Sequence, residues 1–466
     1  DSIGVFQVES RAQMGLAPRL KPRCFYDLVI SVAIIRPGPI QGGMVHPYLR
    51  RRDGLEQVHY PYPPLEPVLA RTLGVPLFQE QAMRLAVVAA GFTPGEADEL
   101  RRVMTHRRSH ERLAAMKARL VAGMAERSIA AADAEKIFQH LLGFAGYGFP
   151  ESHAASFALL VYASAWIKRY HPAVFACALL DSQPMGFYAP HTLVEDAKRH
   201  GVVVRPPDVT ASGWDSVLEG QEAGAPVEPG QVPALRLGLH TIRGLPRAVG
   251  EAIVAARAEG AFGSLGELVR RARLSRAWLV RLAEAGALGG LAGERRGAVW
   301  RSLGMEADGG DLFAGVAPPE PEPALPVASA AEEISADFAA TGLSVRSHPM
   351  AVVRASLPSG KVRTARELQR MADRAPVEVA GMVIVRQRPE TAAGIVFVSL
   401  EDETGIANLV LMPDVYERFR PVVRGSPFLL ARGRVERNGL VVNVRVESIA
   451  PLALAPPVGD RARDFH

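Results

Sequence analysis

FAGYGFPESHAASFALLVYASAWIKRYHP, residues Phe144 to Pro172, is the most informative stretch of this chain. An aromatic, glycine-broken loop leads into a long apolar segment that closes on Lys168 and Arg169 before Pro172. Basic residues in a last turn, followed by proline, mark a helix end. Ser152 is placed to be the N-cap, its hydroxyl taking a free backbone N–H of the first turn. Tyr147, Ser152 and His153 then lie beside the positive end of the helix, where phosphates and other anions bind well. The residues alone leave a second reading open, a capped core helix behind a tight turn.

The 466 residues are 48% hydrophobic, which is enough apolar side chain for about three cores. No apolar run reaches membrane-spanning length and no signal peptide is present, so the expected location is cytoplasmic with no membrane partner. Cys24 and Cys177 have apolar neighbours and no second ligand close in sequence. They are expected to be buried free thiols in a reducing compartment. The chain opens at Asp1 directly into GVFQVES, which reads as the C-terminal portion of a longer protein. Its net charge of +5 is uneven: residues 1–120 carry 17 Lys plus Arg against 11 Asp plus Glu, and the remainder 37 against 38. A basic excess confined to one region points to a polyanion contacted there.

The fold class expected is multidomain α+β. Residues 1–205 read as mostly helical. Thr93-Pro-Gly-Glu96 is a helix start, with Thr93 as cap, Pro94 at the first helical position and Glu96 completing a capping box. Leu100, Met104, Leu113, Met116 and Leu120 recur at helical spacing and predict a buried face. The opposite face carries Arg101, Arg102, His106, Arg107, Arg108, Arg112, Lys117 and Arg119, with Glu111 the one acid among them. Residues 206–304 contain IRGLPRAVGEAIVAAR, the pattern of a helix-hairpin-helix: a short helix, a turn at Ile242, Gly244 and Leu245, then a second helix. Such a turn offers backbone N–H groups to a DNA phosphate without reading sequence, although any glycine-containing helical hairpin matches. Pro246, where a second glycine is usual, removes one donor. A looser copy spans Phe262 to Leu288.

Residues 305–374, rich in Pro, Ala, Glu and Gly, are expected to be a linker with a short helix inside it. Residues 375–455 show five strand-like segments, with the helix-like DVYERFRPVV between the third and fourth. That order fits a five-stranded OB-type barrel, and residues 456–466 form a tail. Few aromatics are available on the barrel for base stacking, so a structural or protein-contact role stays open beside strand binding.

GVFQVES (Gly4–Ser10), IIRPGPIQGGM (Ile34–Met44), GVPLFQEQAMRLA (Gly74–Ala86), ADELRRVM (Ala97–Met104) and the opening stretch together resemble bacterial C-family DNA polymerases of the DNA polymerase III alpha-subunit type. FPESHAASFALLVYASAW and SQPMGFY (Ser182–Tyr188) look like the error-prone, damage-induced branch; the high-fidelity branch carries Asn-Lys where this chain has Pro150-Glu151. The resemblance implies a fingers region at 1–205, a tandem helix-hairpin-helix domain at 206–304 and an OB-fold at 375–455. It implies template-directed addition of deoxynucleotides to a primer 3′ end, on damaged templates, by a nucleoid-associated enzyme. Arg36, Arg101, Arg102, Arg107 and Arg108, with His106 beside them, become candidates for triphosphate or template contacts. Tyr147, Ser152 and His153 would line the same cleft, and each of these residues has a scaffold role as its alternative.

The family's catalytic metal ligands are palm aspartates, two of them in a PDxDxD-like segment that does not occur in this sequence. No catalytic or metal-ligating residue is therefore assigned, and Glu401-Asp402-Glu403 on an apparent turn is no substitute. Mg2+ is expected for the full-length enzyme and no cofactor for this portion, which is expected to be inactive alone. The implied partners are primer-template DNA and a dNTP, with the sliding clamp and accessory damage-tolerance proteins. GGDLF (Gly309–Phe313) faintly resembles a clamp-binding pentapeptide but lacks its leading Gln. Two alternatives remain: a replicative alpha subunit, and a non-catalytic DNA-binding module.

Overall fold

Helix starts in the first part of the chain follow their capping residues. In the computed structural model, α1 (Arg11–Leu20) begins where the Ser10 hydroxyl accepts the Gln13 N–H at 3.3 Å. α2 (Phe25–Ile34) begins where the Asp27 carboxylate turns back to the N–H groups of Arg23 (2.7 Å) and Cys24 (3.3 Å). The residues described are 2–36, 39–40, 43–105, 110–143, 149–220, 232–305, 324–358, 360–389, 392–452 and 463–465. They fall into two units, Asp1–Ala165 with Gly439–Val441 and Trp166–Asn438 with Val442–His466.

In the first unit α3 (Val45–Arg52) ends on a guanidinium fork. Arg52 donates to both oxygens of Asp27, at 2.6 and 2.7 Å, and through Nε to the Leu20 carbonyl at 2.7 Å. One side chain thus ties the ends of α1 and α3 to the start of α2. α4 (Gln79–Ala90), α5 (Pro94–Thr105), α6 (His110–Glu126), α7 (Ala131–Gly143) and α8 (Glu151–Tyr170) follow. The Thr93–Glu96 capping box forms as expected, at 3.2 and 2.7 Å, and Leu100 and Leu120 are buried. α6 crosses the end of α4 so closely that a Cβ on Gly123 would strike the Ala90 carbonyl.

The second unit contains α9 (Pro172–Asp181), α10 (Pro190–Arg199) and a small sheet, β1 (Val204–Arg205), β2 (Val217–Glu219) and β3 (Ala234–Arg236), in the order β1-β3-β2. α11 (Arg247–Ala258), α12 (Leu265–Ala272), α13 (Arg276–Glu284) and α14 (Arg295–Gly304) follow. They share one apolar core that includes Ile242, Leu245, Ile253, Leu268, Leu279 and Leu282.

The linker expectation for 305–374 is corrected over its second half. α15 (Ala330–Thr341) buries Ile334 and Phe338, and Ala340 joins the same core. Its Asp337 and Glu333 engage Arg295 of α14. The short helix expected inside the linker is α15, which opens on a full Ser329–Glu332 capping box. α16 (Pro349–Arg354) follows, and β4 (Val362–Arg363) pairs with the first barrel strand.

The barrel has the expected five strands and inserted helix: β5 (Pro376–Gln387), β6 (Val396–Asp402), β7 (Gly405–Leu411), α17 (Pro413–Gly425), β8 (Phe428–Asn438) and β9 (Val441–Pro451). Strand order β5-β6-β7-β9-β8 closes through antiparallel β5–β8 pairing. A short β10 (Arg463–Phe465) adds to β5. The inward residues, among them Val379, Val398, Leu409, Ala431 and Val444, alternate along the strands and form the core.

Neither cysteine is buried as expected. Cys24 sits exposed on the turn before α2, and Cys177 is half-buried with its thiol directed to Asp181 (3.7 Å) and the Ser216 carbonyl (3.4 Å). No helix among the described residues is long and apolar enough to cross a membrane.

Burial pushes the Asp27 carboxyl upward, but the Arg52 fork and the Arg23 and Cys24 N–H groups outweigh it and hold the carboxyl at about 2. A depressed carboxyl stabilises the fold above its unfolded value and loses that contribution as pH falls through the folded one. Asp27→Ala should cost about 3 kcal/mol at pH 7 by stranding Arg52. In urea titrations the gap to the parent chain should be full above pH 4 (roughly the unfolded carboxyl value) and narrow as pH falls towards 2.

Candidate functional site

α8 does not begin as its sequence suggested. The Ala154 N–H bonds to the Pro150 carbonyl at 3.0 Å, so Pro150 is the cap and Ser152 an exposed residue of the first turn. The N-terminus is already served by protein: the Glu80 carboxylate of α4 accepts the Glu151 N–H at 3.0 Å, and the Gln79 N–H bonds to the Phe149 carbonyl at 3.1 Å. A carboxylate thus already sits on the first N–H of the helix end that was expected to face an anion.

Glu151, the residue that departs from the high-fidelity pattern, is a joint. Its carboxylate accepts the Tyr26 hydroxyl at 2.7 Å and faces Arg71 at 3.7 Å. Arg71 lies over the Tyr26 ring at 4.8 Å. Burial, and then the Glu151 carboxylate, raise the Tyr26 phenol above its ordinary value.

Beside this joint, separate segments of the sequence converge on the Phe149 ring. The Arg36 guanidinium stacks over it at 4.2 Å and reaches Gln7 at 3.5 Å. His153 meets it edge-on at 5.2 Å and packs on Phe157 at 4.2 Å, while Phe6 approaches Phe157 at 5.2 Å. Arg36 and His153 are thus brought together, with exposed Ser152 on the adjoining turn. Phe149, Gln7 and Glu80 were missed because a ring between two predicted polar residues carries no periodic signal. Tyr147, His106, Arg107 and Arg108 lie outside the described residues, as does GGDLF at 309–313.

Arg101 and Arg102 both close on Asp98 of their own helix, at 2.8 and 2.9 Å. Lys117 pairs with Glu135 of α7 at 2.9 Å, and Arg119 approaches Glu96 at 3.6 Å. The described part of the basic face is therefore matched by acids one turn back or on a neighbouring helix, which counting one face did not reveal.

At the hairpin, Ile242 and Leu245 are buried, and Gly244, at φ +76°, faces open space. The Leu245 N–H closes the turn on the Ile242 carbonyl at 3.2 Å, and the Arg243 N–H is spent on Ala340 at 2.8 Å. Leu245 is thus corrected from a donor to an anchor. The outward donors are the N–H of Gly244 and the first N–H groups of α11, whose start has no side-chain cap. The element before the turn is a 3-10 turn, Leu239–Thr241, in place of the expected short helix; the second copy, α12 and α13, is a true helix pair.

The acidic run at the β6 end does not fit Mg2+. Glu401 is wholly buried and accepts from Arg199 (3.2 Å) and Thr192 (3.1 Å). Burial lifts its carboxyl to about 7, with Arg199 opposing. Asp402 and Glu403 both bond to Arg354, at 3.1 and 2.6 Å, and Asp402 also accepts the Ala365 and Thr404 N–H groups. These oxygens fasten the barrel to α10 and α16.

Three family profiles match the chain: the bacterial DNA polymerase III alpha subunit finger domain over residues 1–128, a helix-hairpin-helix motif over 201–298 and an OB-fold nucleic acid binding domain over 377–452. A protein of Anaeromyxobacter dehalogenans (strain 2CP-1) named error-prone DNA polymerase is 83% identical over the whole chain, which covers 41% of that protein. Proteins of the same name from Azoarcus sp. (strain BH72) and Pseudomonas fluorescens (strain Pf0-1) are 52% and 50% identical, also over the whole chain, covering 44% and 45% of their lengths. The chain spans less than half the length of these relatives.

Glu151→Lys, which restores the charge of the high-fidelity pattern, should remove the Tyr26 hydrogen bond and set a cation beside Arg71. A loss of about 2 kcal/mol is expected in chemical denaturation of the first unit. An unchanged midpoint would mean that the joint carries no load.

Proposed function

Because the chain belongs to the bacterial C-family DNA polymerases of the DNA polymerase III alpha-subunit type, we propose that it is the fingers and DNA-holding portion of an error-prone, template-directed DNA polymerase acting on damaged templates. The carrying observation is the meeting of GVFQVES, RPGP and FPESH on the Phe149 ring, through Gln7, Arg36 and His153. Arg36 is oriented by its stack on that ring, and a planar guanidinium suits a phosphate better than an ammonium does. With Glu80 on the α8 N-terminus, the triphosphate contact falls to side chains. Arg36 would take the phosphates, and His153 and Ser152 would border the base and sugar.

The Gly244 turn and the start of α11 would hold a DNA phosphate through backbone N–H groups, without reading sequence. On the barrel, Arg432 pairs with Glu378 (3.1 Å), Arg434 with Glu447 (3.2 Å) and Arg445 with Glu436 (3.7 Å). Tyr416 and Phe428 are buried. These paired arginines, with Phe397 the half-buried ring of β6, favour a docking role for the barrel over a strand groove. In the family, divalent cations on palm aspartates offset the charge developing on the transferring phosphoryl group. The acids of this chain that lie near its sequence-predicted sites are committed to structural pairs, so no chemical step is assigned to it. The three relatives described above are named error-prone DNA polymerases, which favours this branch over the replicative one.

In a primer-extension assay with Mg2+ and all four dNTPs, the 466-residue chain should incorporate nothing above background. Template-dependent incorporation would overturn the assignment of the chemistry elsewhere. Arg101→Glu with Arg102→Glu should weaken primer-template binding at least roughly tenfold and flatten the log–log salt dependence by about 2. Arg432→Glu with Arg434→Glu should change both little. Arg437 is unsuitable as a control, because it holds the Gln369 and Met371 carbonyls at 2.7 and 2.8 Å. Equal effects from the two pairs would make the α5 arginines ordinary surface.

A further inference from the structure

Three ligand-type side chains distant in sequence meet just before the hairpin turn. Asp181 closes α9, Asp215 lies in the loop leading to β2, and His240 lies in the 3-10 turn two residues ahead of Ile242. One oxygen of each carboxylate and one imidazole nitrogen all lie within 4.8 Å of one another. The loops that carry them are fastened by backbone rungs, Leu239 N–H to the Gly213 carbonyl and His240 N–H to the Trp214 carbonyl, both at 3.0 Å.

The chemistry of His240 points to an ion. Its Nδ1 lies 2.9 Å from the Trp214 carbonyl, which can only accept, so the neutral ring carries its hydrogen on Nδ1 and presents a lone pair at Nε2. That lone pair faces an oxygen of Asp181 at 3.7 Å. Two acceptors therefore face each other, with a second carboxylate alongside. Asp181 is partly served by the Ser216 N–H at 2.9 Å and the Cys177 thiol at 3.7 Å. Asp215 has no hydrogen bond or ion pair among the described residues. The nearby Arg247 is turned to Glu251 at 2.7 Å. A proton on Nε2 would engage Asp181 alone, whereas one cation would engage all three groups, whose ligand atoms lie within 4.8 Å of one another. A carbonyl-fixed tautomer with the second nitrogen aimed at carboxylates is the usual setting of a ligating histidine.

We propose that Asp181, Asp215 and His240 form a site for one divalent cation of the zinc or manganese class, tying α9 and the β2 loop to the turn that precedes the hairpin. Two oxygens and one imidazole nitrogen suit a borderline cation, while Mg2+ prefers oxygen and water alone. Three protein ligands leave a position for water. Positions 181, 215 and 240 share no short spacing, so no sequence motif announces them.

The test is isothermal titration of the metal-stripped 466-residue chain with Zn2+, and electron paramagnetic resonance with Mn2+, for the parent and for Asp215→Asn and His240→Gln. Circular dichroism would verify the fold; Asp215→Asn touches a side chain with no structural bonds and should fold as the parent does. One site per chain is expected, weakened at least roughly tenfold in each variant. Mg2+ in tenfold excess should not displace the ion. No binding, binding unchanged in both variants, or equal preference for Mg2+ would each overturn the proposal. Because the titration uses no DNA, its outcome is independent of the polymerase assignment.

Discussion

The start of α8 is held by groups that the rest of the first unit must deliver to one place. Glu80 supplies a carboxylate to the first N–H, Gln79 takes the Phe149 carbonyl, and Tyr26 and Arg71 converge on Glu151. These contacts come together only when α2, α4 and the loop at Arg71 are all in position. The Phe149 ring is fixed by the same bonds. The stacking of Arg36 and the packing of His153 follow from the seating of the helix and add little to it.

Charge in this protein is mostly spoken for. Among the described residues, the cations that stand out in the sequence are largely matched, Arg101 and Arg102 by Asp98, Lys117 by Glu135 and the barrel arginines by glutamates across their strands. Exposed pairs of this kind contribute little to stability and are screened by salt. They can exchange their carboxylates for phosphates at small cost, so pairing at rest and contact with a polyanion are compatible. The interior pairs behave differently. Asp27–Arg52 and Lys168–Asp196 are largely withdrawn from water, and each fixes where a helix begins or ends.

Local patterns were legible where one residue determines one bond. The Thr93–Glu96 box, the strand alternation of the barrel and the glycine of the hairpin turn all appear where the sequence placed them. Readings failed where the partner comes from far along the chain. Ser152 looks like a cap until Glu80, some seventy residues earlier, is seen on the helix end. The stretch around α15 looks like linker because alanine and proline dominate it, yet Ile334 and Phe338 supply two apolar anchors at helical spacing. The Asp181, Asp215 and His240 group illustrates the same limit, since only the folded chain brings the three together. The physical meaning of Glu151, a hydrogen-bonded joint to Tyr26, needed the fold.

The burial of Glu401 has a consequence beyond fastening the barrel. A carboxyl whose folded value lies near 7 binds its proton more tightly in the native state than in the unfolded chain. Its contribution is therefore favourable in mildly acidic solution and is lost as pH rises through neutrality. The proton thus acts as a small ligand of the seam formed by Thr192, Arg199 and the end of β6. Its occupancy changes around neutrality, so the firmness with which this barrel is held is set partly by the solvent.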